Sequence, residues 1–467
     1  MIVDIDASRL DPVAVQPFLR VPLTRTGDAR RPEVLRDAGI ARPECRAIIA
    51  ITGDDEANQA IALGARALDP STLIIARVTD PVILANLGEF GGIQVIDPYR
   101  TFADNLRLGV AAPEVLQLEE WLTGSPGSDR PDTLRLPSGH WVLAGNERFI
   151  APIAQALAAC GQTSQTLTEL GLPHAVTAST PAVPGTEDKL LGAGIDRAVG
   201  LVAATDSDTA NLAVVAMARR VNPVLTVVMR QNKAFNRLLV DASQPALTFV
   251  QSNVMVHEVL QALTTPLLDR FLDQLRHADP ALAREASVRL EAAVGTLAPA
   301  VWTFECRADR PGLAGALQEA GRTLTIAELM IDPRDGQTPL QVVPLMRVRR
   351  TVSAWPPQAV ASRRGRGWSA GEPLLRHASP VPGSRLGWPV SDTDLLQILP
   401  DPATALAAGD AVLFAGAEEV EHLQERFAWD SGLIAFVRDG VEPPRSAVFR
   451  WLAARRARAA APVSPRP

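Results

Sequence analysis

Short apolar runs of strand length alternate with polar turns in the first half of the chain. Residues 47–51 and 201–204 are continuously apolar, as in parallel strands that are covered on both faces. Each run leads into a polar turn, residues 52–55 or 205–208, whose acids suit the N-cap of a helix and the positive end of its dipole. The pattern therefore predicts a buried strand followed by a helix at both places.

The segments after these turns continue with a helix and a second strand in both places. Helices are predicted over about 56–68 and 209–221, because each apolar stripe closes just before a proline. Another apolar strand follows, at 73–76 or 225–229, and ends on an arginine. Strand, helix and strand in this order are typical of a doubly wound parallel sheet.

The two segments are copies of one module. Identical residues recur at a nearly constant spacing: Ala38-Gly39-Ile40 with Ala193-Gly194-Ile195, Asn58 with Asn211, Pro70 with Pro223 and Arg77 with Arg230. Such self-similarity indicates tandem modules. The predicted fold class is thus α/β, with two tandem Rossmann-like doubly wound parallel-sheet modules followed by a smaller α/β C-terminal lobe.

The second module opens with a complete strand but a degraded glycine loop. The strand is predicted from His140 to Ala144, and Gly145 is the one glycine left of the GxGxxG pattern that lets backbone approach a pyrophosphate. Glu147 places a negative charge where phosphates would lie, and the next strand, about 164–167, lacks a well-placed acid for a ribose. Ordinary dinucleotide binding is therefore disfavoured here.

The first module has the opposite defect. Residues 1–6, MIVDID, look like the second strand of such a fold, and Asp4 is the acid that would bind a ribose 2′-hydroxyl, with Asp6 beside it. No first strand or glycine loop precedes them. We therefore expect either an N-terminally incomplete module or another segment in the central position; a simple edge strand with solvated acids is the alternative.

Composition narrows the classes of function. The 467 residues are 47% hydrophobic and 21% charged, which suits a chain of two or three globular domains. The formal net charge of −6 argues against nucleic acid as the main partner. The three cysteines and six histidines show no metal-site spacing, so neither a metal site nor catalytic residues are predicted.

Taken together, the motifs resemble the RCK (regulator of potassium conductance) module, the NAD-binding TrkA N-terminal domain of Trk-type potassium uptake. In the first module the matching pieces are the strand pattern of residues 2–6, GDA at 27–29, LRDAGI at 35–40, ITGDDEAN at 51–58 and IIAR at 74–77. In the second they are AGI at 193–195, AATDSDTAN at 203–211 and VMR at 228–230. The resemblance covers roughly residues 1–112 and 138–278.

The rest of the chain divides around these modules. Residues 113–137, with SPGSDRP, are predicted to be a linker between them. Residues 279–450 form the C-terminal lobe, which is similar to the small lobe of this family, and 354–392 are predicted to be a disordered insertion rich in Pro, Gly, Ser and Arg. The tail, 451–467, is basic.

The resemblance implies a cytoplasmic regulatory subunit that gates a potassium channel or transporter. It implies NAD(H) or an adenine nucleotide as effector in the first module, with Asp4 on the ribose, Asp28 and Thr52 on the adenine side, and Arg77 near phosphate. It also implies a homo-oligomer at the inner face of the membrane, with a separate membrane subunit or an upstream pore as partner. For Arg77 and Arg230 a salt bridge to a neighbouring acid is an equal alternative.

Two other functions stay open. A nicotinamide-dependent oxidoreductase would share the architecture, but no acid–base constellation can be placed at the carboxyl ends of the strands. A scaffold whose modules only dimerise, without a ligand, would fit the loss of the glycine loops. We therefore expect a regulatory protein and not an enzyme.

Overall fold

The computed structural model describes residues 1–90, 92–168, 185–318, 323–349 and 395–440. Its contacts divide the described chain into two compact units. Unit 1 holds Met1–Gln117 and Asp132–Pro266, and unit 2 holds Leu118–Pro131, 267–349 and 395–440. The predicted insertion, 354–392, and the predicted basic tail, 451–467, lie outside the described residues.

The first module of unit 1 holds two separate parallel sheets. Its strands are β1 (Ile2–Asp4), β2 (Thr24–Thr26), β3 (Ala47–Ala50), β4 (Leu73–Arg77) and β5 (Ile93–Ile96). Its helices are α1 (Asp11–Val15), α2 (Pro32–Asp37), α3 (Asp55–Leu68), α4 (Pro81–Glu89) and α5 (Pro98–Ala111), and α6 (Pro113–Thr123) follows. Strand β1 pairs with β2, while β3, β4 and β5 form a second sheet in that order.

The second module has one continuous parallel sheet. Its strands are β6 (His140–Gly145), β7 (Thr163–Leu167), β8 (Gly200–Ala204), β9 (Thr226–Gln231) and β10 (Leu247–Val250). Its helices are α7 (Glu147–Ala159), α8 (Thr186–Gly192), α9 (Asp208–Val221), α10 (Arg237–Ala242) and α11 (Gln251–Thr264). The strand order is β10-β9-β8-β6-β7, so β6 is hydrogen-bonded to β7 on one side and to β8 on the other.

Local sequence accounts for the paired helices α3 and α9. The Asp54 side chain caps α3 by accepting from the Glu56 and Ala57 backbone N–H groups, and Ser207 caps α9 through the Ala210 N–H. Such side chains satisfy N–H groups that have no partner inside the helix. Both helices therefore begin one residue earlier than predicted, at the acid that follows the cap.

The last helix of each module packs against the sheet of the other module. Helix α5 leaves the first module and packs on the second sheet, where Tyr99 and Phe102 join Phe149 and Phe249 in one aromatic cluster. Helix α11 leaves the second module and packs on β4 and β5 through Met255 and Ala262. The burial of apolar surface thus holds the modules together from both directions.

The stretch predicted as a linker differs from expectation, because residues 113–123 of it form α6. The apolar side chains Val115, Leu116, Leu118, Trp121 and Leu122 recur at helical spacing and are all buried. Pro113 stands at the first helical position, where a missing N–H costs nothing. The amphipathic pattern of this segment therefore outweighs the turn-forming residues that follow it.

Unit 2 is built around an antiparallel sheet. Its helices are α12 (Pro266–His277, whose first residue belongs to unit 1), α13 (Pro280–Val294), α14 (Pro311–Gln318), α15 (Ile326–Leu329), α16 (Glu418–Trp429) and α17 (Ser431–Asp439). Its strands β11 (Ala300–Glu305), β12 (Val342–Arg349), β13 (Leu395–Ile398) and β14 (Ala411–Gly416) run in the order β11-β14-β12-β13. The predicted fold class is confirmed.

Two further features of the described residues bear on function. Asp410, at the turn into β14, is buried and bonds to Arg347 and Arg349, so it serves the packing of the lobe. In the described part of the chain no helix is long and apolar enough to cross a membrane.

Candidate functional site

A cleft of about 460 Å³ opens in the first module between the carboxyl ends of β1 and β3. Three backbone segments, 3–5, 27–30 and 51–54, form its rim, and Ala57 and Ile61 of α3 form its wall. In open parallel sheets, ligands bind outside the carboxyl ends of the strands. The volume is in the range of small-molecule sites, roughly 300–1,000 Å³.

Asp4 lies on this cleft, at the end of β1, and the neighbouring Asp6 does something different. Asp4 Oδ1 accepts from the Asp6 backbone N–H at 2.9 Å. The Asp6 carboxylate accepts from the backbone N–H and the hydroxyl of Ser8, and these bonds lower the pKa of Asp6. The structure therefore separates the two acids: Asp4 faces the cleft and Asp6 caps the next turn.

Asp28 also lines the cleft and is paired with Arg30, another lining residue. The Arg30 Nε donates to Asp28 Oδ1 at 2.9 Å and Nη2 donates to Oδ2 at 2.8 Å. These side-chain bonds, together with the Arg30 backbone N–H, lower the pKa of Asp28 to about 2. The rim thus carries a fixed carboxylate and a guanidinium side by side.

Thr52 completes the rim after β3, and Arg77 lies behind it. The Thr52 carbonyl accepts from Arg77 Nη1 at 2.7 Å, and Arg77 Nη1 is 3.6 Å from Asp55 Oδ1. The Arg77 side chain is buried and does not line the cleft. The structure therefore brings together Asp4, Asp28 and Thr52, whereas Arg77 takes part in the neighbouring ion pair that was its alternative.

Sequence reasoning missed Arg9 and Arg30, the two cations on the cleft. Arg30 follows the GDA motif by one residue, and its pairing with Asp28 is a local turn interaction that the spacing could have suggested. Arg9 carries no such signal, because only the turn after β1 turns it toward the cleft. Ligand contact by any of these residues remains a prediction.

In the second module, side chains fill the turn that corresponds to the rim of the cleft at residues 52–54. Asp206 stands where the first module has Gly53, and its carboxylate accepts from Arg230 Nη1 at 2.7 Å and from Asn146 Nδ2 at 2.8 Å. The Arg230 guanidinium also lies 5.7 Å from the centre of the Tyr99 ring, which belongs to the first module. At Gly53, by contrast, a Cβ atom would meet nothing within 4 Å.

The one surviving glycine of the second loop has a packing role. Gly145 has φ of +151°, and a Cβ there would lie 2.2 Å from the carbonyl carbon and oxygen of Ala204. A residue with a side chain is therefore excluded by the neighbouring strand. Asn146 then caps α7 by accepting from the Arg148 N–H. The Asn146 side chain thus satisfies a backbone donor at the start of α7.

A comparison with protein families finds a match within both modules. The TrkA-N domain matches residues 1–98 and 180–243, which include every lining residue of the cleft and the Asp206 turn. The first range covers most of the first module, and the second range covers part of the second module. The resemblance seen in the motifs is confirmed for these ranges, and the open cleft lies in the first of them.

Individual proteins are similar to this chain to different extents. An uncharacterized protein of Methanothermus fervidus is 36% identical over 93 residues, which span 20% of this chain and 14% of that protein. The GsuK channel bound to NAD is 16% identical, with a TM-score of 0.44, over 91% of this chain and 74% of that one. The human SLO3 gating ring is 9% identical, with a TM-score of 0.36, over 89% and 98%.

Proposed function

We propose that the first TrkA-N module binds an adenine nucleotide in its cleft, as the sensing part of a regulator of a potassium channel or transporter. The observation that carries the proposal is the convergence of Asp4, Asp28 and Thr52 on one cleft, although they follow three different strands. The family match supports it, since the TrkA-N sequence covers all three positions.

The groups on the cleft suit a ribose better than a pyrophosphate. The Asp4 and Asp28 carboxylates can accept from ribose hydroxyls, and Arg9 and Arg30 can bind a phosphate. The Glu56 and Ala57 N–H groups at the start of α3 are already bonded to Asp54. These two donors are therefore not available to phosphates, and we rank AMP ahead of ADP and NAD(H), which both carry a pyrophosphate.

Binding would regulate a partner only by favouring one arrangement of the modules. Helices α5 and α11 pack reciprocally, so a change at the first sheet reaches the second through buried contacts. A coupling of about 1–3 kcal/mol is typical of such regulation. We place the chain in a homo-oligomer at the inner face of the membrane, next to a potassium-conducting subunit.

Titration calorimetry of the full chain with AMP, ADP and NAD(H) tests the proposal. We expect saturable binding that Asp4→Ala weakens by about tenfold to a hundredfold, because a hydrogen bond to a charged group contributes roughly 1.5–3 kcal/mol. Asp188→Ala is the matched control, since Asp188 is an exposed acid on α8. No heat with any nucleotide would refute nucleotide sensing, and unchanged affinity in the Asp4 variant would remove Asp4 from the site.

The same assay addresses the two other functions. The described lining residues include no His, Lys, Tyr or Cys that could act as acid or base in hydride transfer, so we propose binding without turnover. Oxidation of a nicotinamide cofactor with any substrate would contradict this. A chain that assembles but binds no nucleotide would support the scaffold instead.

A further inference from the structure

The paired arginines near the ends of β4 and β9 take different positions in the two modules. In the first module, Arg77 Nη1 turns inward and donates to the carbonyl of Thr52 at 2.7 Å. In the second module, Arg230 Nη1 donates instead to the carboxylate of Asp206, also at 2.7 Å. The first module has Gly53 at this place in the turn. The position of the arginine therefore follows the presence of a carboxylate in the turn.

In the second module, other groups already bond to the acceptors that Arg77 meets in the first. The Thr205 carbonyl accepts from Asn232 Nδ2 at 3.1 Å. The Asp208 carboxylate accepts from the backbone N–H groups of Asn232, at 2.6 Å, and Lys233, at 3.0 Å. The guanidinium of Arg230 therefore turns outward, to the acid in the turn.

The pair of Arg230 and Asp206 joins a nearly buried cation to an anion in solvent. The Arg230 side chain is 12% exposed, whereas that of Asp206 is 61% exposed. The guanidinium lies 5.7 Å from the centre of the Tyr99 ring and 5.5 Å from that of Phe149. A buried charge is costly unless an opposite charge is paired with it. The Asp206 carboxylate supplies this charge from the solvent side.

The same carboxylate stands where parallel-sheet folds hold the phosphate of a ligand. Its second oxygen accepts at 2.8 Å from Nδ2 of Asn146, the N-cap of α7. In open parallel sheets, phosphates lie at the start of the helix that follows the first strand. Arginine and amide donors hold a carboxylate and a phosphate in similar ways. Glu147 is exposed beside this place, so its charge is screened by solvent.

We propose that Asp206 is a built-in anion that takes the place of a ligand phosphate in the second module. It excludes phosphate-bearing ligands from this module. It also holds Arg230 against Tyr99 of α5, the helix that comes from the first module, and so fixes the junction of the two modules without a nucleotide. The inference concerns the second module and does not depend on nucleotide binding by the first.

A single tyrosine makes the position of Arg230 measurable in the full chain. Tyr99 is the one tyrosine of the sequence, so protein with isotope-labelled tyrosine Cζ gives one NMR resonance next to the guanidinium. We expect Asp206→Gly, which copies Gly53, to shift this resonance. Inorganic phosphate at millimolar concentration should then return it saturably toward its wild-type position. The variant should bind phosphate at least about tenfold more tightly than wild type, because no carboxylate competes for the arginine.

Two control variants isolate the role of the arginine. Asp206→Gly combined with Arg230→Gln should not respond to phosphate, and Asp188→Ala, which removes an exposed acid of α8, should behave as wild type. Sodium chloride at the same ionic strength should not return the resonance, because it screens charge without taking the place of the carboxylate. A resonance that Asp206→Gly leaves unchanged would overturn the proposal. So would a shifted resonance that phosphate does not return, or an equal response of the wild type.

If Asp206→Gly does not fold, Asp206→Asn gives the same test, since the amide keeps the size of the side chain and removes its charge. Phosphate should then raise the Tm of the variant more than that of the wild type, and equal shifts would overturn the proposal. The phosphate response of Tyr99 and the calorimetric binding of AMP are separate measurements. A failure of this inference is therefore distinguishable from a failure of nucleotide binding in the first module.

Discussion

The two modules of unit 1 share one framework and differ in what surrounds it. The strand β8 is buried at every position, whereas its counterpart β3 is partly exposed along most of its length. The turn after β8 is filled by the Asp206 ion pair, and the turn after β3 borders an open cleft. A repeat can thus keep its internal bonds while one copy specialises in packing and the other keeps an accessible surface.

The shared framework is a buried asparagine on the helix. Asn58 accepts from the Thr52 N–H at 2.8 Å and donates to the carbonyls of Thr52 and Arg77. Asn211 makes the same three bonds to Thr205 and Arg230. In each module, this side chain ties the ends of two neighbouring strands together, which explains why the repeat preserves it.

The largest expected effect tests this shared framework. Asn58→Ala and Asn211→Ala should each lower the free energy of unfolding by about 3 kcal/mol, because each leaves buried backbone groups without partners. Urea unfolding, with hydrogen exchange to assign the loss to a module, measures it. Gln155→Ala on the exposed side of α7 is the control and should change the value by less than about 0.5 kcal/mol.

A large loss of unfolding free energy in one module and a small loss in the other would contradict the shared framework. The two asparagines would then contribute differently to stability although they make the same hydrogen bonds.

The second prediction tests whether β8 is more deeply buried than its counterpart β3. Val202→Ala should cost about 2 kcal/mol, since two buried methyl groups leave a packed core. Ile49→Ala removes a larger side chain at the corresponding position but should cost only about 1 kcal/mol, because Ile49 is 41% exposed. The midpoints of urea unfolding of the two variants give the comparison.

Equal losses would show that Ile49 is buried in solution.

The fold was predictable where sequence periodicity and caps act locally. The apolar runs at β3 and β8 and the prolines after α3 and α9 place strands and helices within one or two residues. The helix α6 was missed because the turn-forming residues after it dominated the interpretation of the whole segment. The strands of the first module form two separate sheets, β1-β2 and β3-β4-β5.

The candidate site was predictable in part. Asp4, Asp28 and Thr52 follow strand ends, so the topology alone brings them to one edge. Arg77 is buried and donates to the Thr52 carbonyl, which is distant in sequence, and Arg9 reaches the cleft after the turn that follows β1. Such tertiary contacts leave no periodic trace in the sequence.

The smallest expected effect concerns the charge on the open cleft. Arg30→Gln removes the side-chain bonds that hold the pKa of Asp28 at about 2, so this pKa should rise toward its ordinary value of 3.8. It should not reach that value, because the backbone N–H of residue 30 still donates to Asp28. A carboxyl-carbon NMR titration measures the shift, and Arg9→Gln should leave the pKa of Asp28 unchanged.

The sign of the stability change follows from the direction of this shift. A lowered pKa in the folded state stabilises the protein above pH 3.8, and that contribution is lost as the pH falls toward 2. Wild type and Arg30→Gln should therefore differ slightly at pH 6 and converge near pH 2. The difference in unfolding free energy between the two proteins should be small at every pH, because the Asp28–Arg30 pair is exposed and screened by solvent. A pKa of Asp28 that stays at about 2 in the variant would show that Arg30 does not lower it. The first and second modules would then differ at this site only in having Gly53 where the second has Asp206.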